Sequence, residues 1–162
     1  ADQFARVTGA EPIFFPMPGL VGAPAARSAL LSDPYIGELM KEWAGLTTLL
    51  VGIGALEQSP LLASSGNRVS DAEASRLSAV GAVGDVCLRY FDAQGSPVVT
   101  ELDDRVLGIT REALLATPRR IGIAGGRQKH KAILGAIRGG WVNILITDRV
   151  TAETLLNEPD AG

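Results

Sequence analysis

Residues 121–134 read Ile-Gly-Ile-Ala-Gly-Gly-Arg-Gln-Lys-His-Lys-Ala-Ile-Leu. An apolar β-branched run stops at two glycines, cations follow at once, and a pattern of helical period begins. A strand that hands over to a helix through a glycine turn is the building unit of an α/β fold with a parallel sheet. In open sheets of this kind ligands sit at the carboxyl ends of the strands, which is where such a turn lies. Glycines at 125 and 126 let backbone close on a ligand, and amides at a helix N-terminus favour an anion. Lys129 falls in the first turn of the expected helix. A cation there opposes the helix dipole and calls for a compensating phosphate or acidic side chain. The plainer alternative is a solvated lysine beside a packing turn. The string is neither a Walker loop nor a GxGxxG fingerprint.

The rest of the chain continues the alternation. Residues 1–10 read as the end of a helix stopped at Gly9, with nothing before Ala1 to cap it, as expected of a piece of a longer protein. Pro12–Pro16 is a short strand candidate. Pro24 and Pro34 open two helices, the second running to about Trp43. The continuous apolar run Leu46–Ile53 predicts a strand covered on both faces. Gly54–Asn67 predicts a long loop of the binding type. Ser70-Asp-Ala-Glu73 has the capping-box form and predicts a helix to about Val80. Gly81–Gly84 is expected to turn the chain into a strand over Asp85–Phe91. Asp92–Gly95 then forms a hairpin turn leading to Pro97–Val99. A helix capped by Thr110 runs through Leu115. Strand Arg120–Ala124, helix Gln128–Ile137, strand Val142–Ile146 and helix Thr151–Leu156 complete the pattern. With 162 residues, this makes one α/β domain. Its sheet is mostly parallel with helices on both faces, and residues 85–100 add a small antiparallel insertion.

The charge balance is 15 Lys+Arg against 18 Asp+Glu, which argues against the chain itself being a nucleic-acid platform. No apolar run approaches the roughly 20 residues of a membrane span, and residues 1–10 lack a signal-peptide layout. Cys87 is the single cysteine. Its apolar run predicts a buried, inert thiol, and the cytosol is the natural compartment. No spacing of His, Cys or Asp suggests a metal site, no cofactor motif is visible, and no serine elbow accompanies His130, which is expected to be exposed. Asp85 either accepts hydrogen bonds from sugar hydroxyls or caps a turn. Leu102-Asp-Asp-Arg105 reads as a charged, solvated loop. Trp43 and Trp141 read as core or interface.

The strings VGIGALEQSPLLASSG, GAVGDVCLRYFDAQGSPV, LDDRVLGIT, IGIAGGRQKHKAILGAIRGGWVNILITD and TAETLL together resemble the C-terminal sugar-binding domain of the SorC family of bacterial transcriptional regulators. The resemblance covers about residues 5–157. It implies a Rossmann-like fold related to ribose-5-phosphate isomerase, glucosamine-6-phosphate deaminase and CoA transferases. It also implies an effector role in which a sugar or phosphorylated sugar changes the assembly and DNA affinity of a homo-oligomeric regulator. The helix-turn-helix that would read an operator is not found in this sequence. The family's first strand and Gly-rich loop are also not found before the opening helix. By position the resemblance assigns Lys129 and Asp85 to the effector, Arg27 to its phosphate side, and Gly52, Gly54 and Ser59 to the strand–loop edge of the pocket. Gly125 and Gly126 supply close backbone approach. A sugar-phosphate isomerase or deaminase on the same fold is the alternative, with Asp85, Asp103 or Asp104 as the base.

Overall fold

The computed structural model describes residues 2–57 and 69–158. Helix α1 (Asp2–Thr8) ends at Gly9, whose φ of +72° suits glycine. Helices α2 (Pro24–Leu31) and α3 (Pro34–Lys41) each start on the proline that the sequence marks. Asp33 caps α3 by accepting from the Tyr35 and Ile36 amides. A 3-10 turn, Glu42–Gly45, leads into β1 (Thr48–Gly52), and β2 (Gly54–Ala55) follows after one residue. Helix α4 (Asp71–Ala79) opens with the complete Ser70–Glu73 capping box. Strands β3 (Ala82–Val86), β4 (Arg89–Asp92) and β5 (Pro97–Val98) form a meander. Helix α5 (Arg111–Ala116) is capped by Thr110 and followed by β6 (Arg119–Ile123). Helix α6 (His130–Arg138), β7 (Ile144–Ile146) and α7 (Arg149–Leu156) end the described chain.

Two sheets result. The parallel sheet has the order β1-β6-β7, and the antiparallel sheet the order β2-β3-β4-β5. The antiparallel part is therefore a sheet of its own that begins at Gly54. The chain changes sheets at Ile53, between β1 and β2. Ile53 is 1% exposed and belongs to the main core with Val86, Phe91, Leu114, Ile133 and Trp141. A smaller core of Val69, Leu77, Ala82, Tyr90 and Leu102 lies against α4.

Several expectations change. Pro12–Pro16 forms no strand. Phe15 stacks on Trp43 at 5.2 Å, and the pairing occurs later, as a bridge between Leu20 and Val106. The run Leu46–Ile53 is not covered on both faces, because β1 alternates between half-buried and exposed residues and Leu50 is 60% exposed. Asp85–Phe91 is not one strand. It bends at Cys87 and Leu88, both with positive φ (53° and 62°), as a two-residue hairpin turn requires. Cys87 is thus exposed rather than buried. Residues 102–105 are not a solvated loop: Asp103 pairs with Arg89 at 3.2 Å and Arg105 pairs with Glu73. His130 is not free in solvent, since its Nε2 lies 2.8 Å from Glu158 Oε1.

Candidate functional site

The carboxyl end of β1 runs through Gly52 and Ile53 into Gly54. The carboxyl end of β6 beside it runs into Ala124, Gly125 and Gly126. Gly126 has a φ of +95°, which favours glycine, and starts a 3-10 turn over Arg127–Lys129. Lys129 is the last residue before α6 rather than part of its first turn. The turn aims its side chain back across the strand ends, and Nζ donates to the Ile53 carbonyl at 2.8 Å. This is the carbonyl at the crossover between the two sheets.

Asp85 reaches the same place from β3. It pairs in register with Gly54, and a Cβ on Gly54 would collide with Asp85 Oδ1. The glycine therefore gives the carboxylate its room. Asp85 Oδ2 accepts the Leu88 amide at 2.9 Å, so the side chain holds the left-handed hairpin turn as well. Desolvation pushes its carboxyl up to about 6, against the opposing pull of the Leu88 hydrogen bond and the Lys129 charge. Of the residues singled out in the sequence, Lys129, Asp85, Gly52 and Gly54 come together here.

The glycine turn is occupied differently from the simplest expectation. The Gly126 amide donates to Asp148 Oδ2 at 2.9 Å and to Thr151 Oγ1 at 3.0 Å. A Cβ on Gly125 would collide with the same carboxylate. An acidic side chain of the chain itself thus answers this turn. The Thr151 hydroxyl and amide, with the Gly126 amide, hold the Asp148 carboxyl down at about 2. Asp148 also caps α7 through the Thr151 amide. Sequence reading missed this group because its partners lie 22 residues apart. The Asp148-x-x-Thr151 spacing before a helical run was the available signal. Thr147 Oγ1, just before Asp148, is buried with no hydrogen-bond partner among the described residues.

Arg27 is placed elsewhere. Its Nε donates to the Val106 carbonyl at 2.9 Å, and it lines a separate cavity with Arg89 and Arg111. Ser59 lies outside the described residues. Among the described residues no group of three or more His, Cys, Asp or Glu could hold a metal ion. No described helix is long and apolar enough to cross a membrane.

A family model described as "Putative sugar-binding domain" matches residues 1–157. The sorbitol operon regulator of Klebsiella pneumoniae is 34% identical over 142 residues, 86% of this chain and 44% of that protein. The deoxyribonucleoside regulator of Bacillus subtilis is 30% identical over 155 residues, 96% of this chain and 49% of that protein. The crystal structure of the full-length SorC regulator from K. pneumoniae superposes with a TM-score of 0.85 at 32% identity, covering 94% of this chain and 48% of that one. The chain spans about half the length of the curated relatives it matches. With its parallel sheet, its small antiparallel sheet and its surrounding helices, the chain belongs to the SorC family of sugar-binding domains.

Proposed function

We propose that the domain binds a sugar, free or phosphorylated, at the carboxyl ends of β1 and β6. Occupancy then alters the homo-oligomeric assembly and operator binding of a cytosolic regulator whose DNA-reading element is a separate helix-turn-helix. The observation that supports this is the convergence of Lys129 and Asp85 on the adjacent residues Ile53 and Gly54. A carboxylate accepts from sugar hydroxyls. An ammonium answers a phosphate or a hydroxyl through charge-assisted hydrogen bonds worth about 1.5–3 kcal/mol each. Gly52 leaves open space at the end of β1, Gly54 makes room for the Asp85 carboxylate, and Ser59 is assigned to the rim by family position.

A thermal-shift panel of sugars and sugar phosphates tests the reading. A sugar at 100 times its dissociation constant is expected to add about 2.7 kcal/mol. Lys129→Ala is expected to abolish that shift while the circular dichroism spectrum stays native. A full shift in the variant, or no shift with any sugar, would refute the assignment.

One observation favours a second reading. A carboxyl titrating at about 6 is poised as a general base near neutral pH, which is the group a sugar-phosphate isomerase or deaminase needs. Product formed over many turnovers from pentose or hexose phosphates would establish the enzyme. Saturable stabilisation without product supports the effector domain, and the relatives named above are regulators.

A further inference from the structure

Arg27 comes from α2, Arg89 from the start of β4 and Arg111 from the start of α5, yet all three open onto one cavity of about 280 Å³. We infer that this cavity is a second anion site, distinct from the place where Lys129 and Asp85 meet, that takes the phosphate group of a small ligand. Neither Lys129 nor Asp85 lines it.

Each guanidinium is oriented by the fold. Arg27 Nε is anchored on the Val106 carbonyl at 2.9 Å and Arg89 Nε on the Ile109 carbonyl at 3.3 Å. Arg111 lies 5.9 Å from the ring centroid of Trp141, itself 1% exposed. Arg27, held through Nε, keeps both terminal nitrogens for a fork-shaped contact with an oxyanion, while Arg89 gives one of its own to Asp103 and keeps the other.

The charges do not cancel. Asp103 and Glu112 also line the cavity, leaving three cations against two carboxylates. Asp103 is already engaged, with Oδ1 on Arg89 and Oδ2 on the Thr100 amide. Glu112 is exposed at the rim. Among the described residues, the Arg27 guanidinium makes only the Val106 hydrogen bond and the Arg111 guanidinium makes none. The volume falls below the roughly 300 Å³ at which drug-sized pockets begin, which suits a phosphate with at most a short organic tail.

The test titrates inorganic phosphate and, separately, glycerol 3-phosphate into the protein at constant ionic strength against chloride. The Trp141 indole NMR signal is the reporter, because Trp141 lines the cavity and its Nε1 is fixed by donating to the Gly95 carbonyl. A saturable shift is expected. Tighter binding of the ester identifies a phosphorylated metabolite as the ligand, and equal or tighter binding of the inorganic ion identifies free phosphate. Arg111→Gln and Arg27→Gln are each expected to weaken binding at least tenfold, while Lys129→Ala changes it less than twofold. Arg111 is exposed and unbonded, so its variant is expected to fold. Arg89 is unsuited to the test, because its loss would strand Asp103. Absence of a saturable shift, or a shift that follows Lys129 rather than the arginines, overturns the proposal whether or not the sugar reading stands.

Discussion

Asp85 is held by three neighbours at once: the Leu88 amide, the bare Gly54 and the Lys129 charge. Burial dominates, so its carboxyl titrates at about 6 instead of 3.8. A raised folded value means that the native state keeps a proton the unfolded chain releases. The stabilisation is therefore present below about pH 4 and lost as the pH rises through 6. Asp85→Asn removes that dependence and can still accept the Leu88 amide. The stability of the variant relative to the native protein is expected to climb between pH 4 and 6, by at most ~3 kcal/mol. Urea denaturation at pH 4, 5, 6 and 7 reads it, and a flat difference would show a carboxyl titrating normally. Asp148 behaves oppositely. Its depressed carboxyl contributes stability above about pH 4 that is lost on acidification through about 2, and both proteins share this acid limb.

At the scale of elements, a seam of small residues joins α6 to the antiparallel sheet. Gly84 faces Ala132, Gly135 faces the Phe91 ring and the Asp92 carbonyl, and Gly95 faces Gly139. A Cβ on Gly84 would strike Ala132 and lie 2.6 Å from the Gly54 carbonyl. Gly84→Ala is thus expected to cost about 1–3 kcal/mol, seen as a lower thermal midpoint with an unchanged fold. Sequence reading placed Gly84 in a turn, because its role depends on a helix some 50 residues later. The parts that were legible were governed by neighbours in the chain. They include the Ser70–Glu73 box, Pro34 after Asp33, Thr110, and the Gly126 turn before α6. The Cys87–Leu88 bend escaped because it lacks the usual Asn or Gly and leans on a carboxylate for support. Lys129 and Asp85 were marked by family position, whereas their meeting at residues 53 and 54 depends on the switch of sheets at Ile53. The arginine cavity draws on three separate elements, so no local pattern announces it.

Across the whole molecule, the parallel sheet keeps an apolar outer face. Leu50, Ile121 and Ile144 align in one row, with Ile123 and Ile146 in the next. Leu50 and Ile146 are 60% and 52% exposed. Exposed apolar patches mark association surfaces. The protein is expected to self-associate with concentration. Leu50→Lys is expected to lower the mass read by light scattering while changing unfolding stability by under about 0.5 kcal/mol. A mass independent of both concentration and substitution would count against that surface. A different kind of consequence belongs to the Lys129 ammonium, which rests on the Ile53 carbonyl where one sheet gives way to the other. That nitrogen carries three hydrogens and gives one to the carbonyl, so a guest can be gripped by the others while the brace stays fastened, and an occupied site would be the stiffer one.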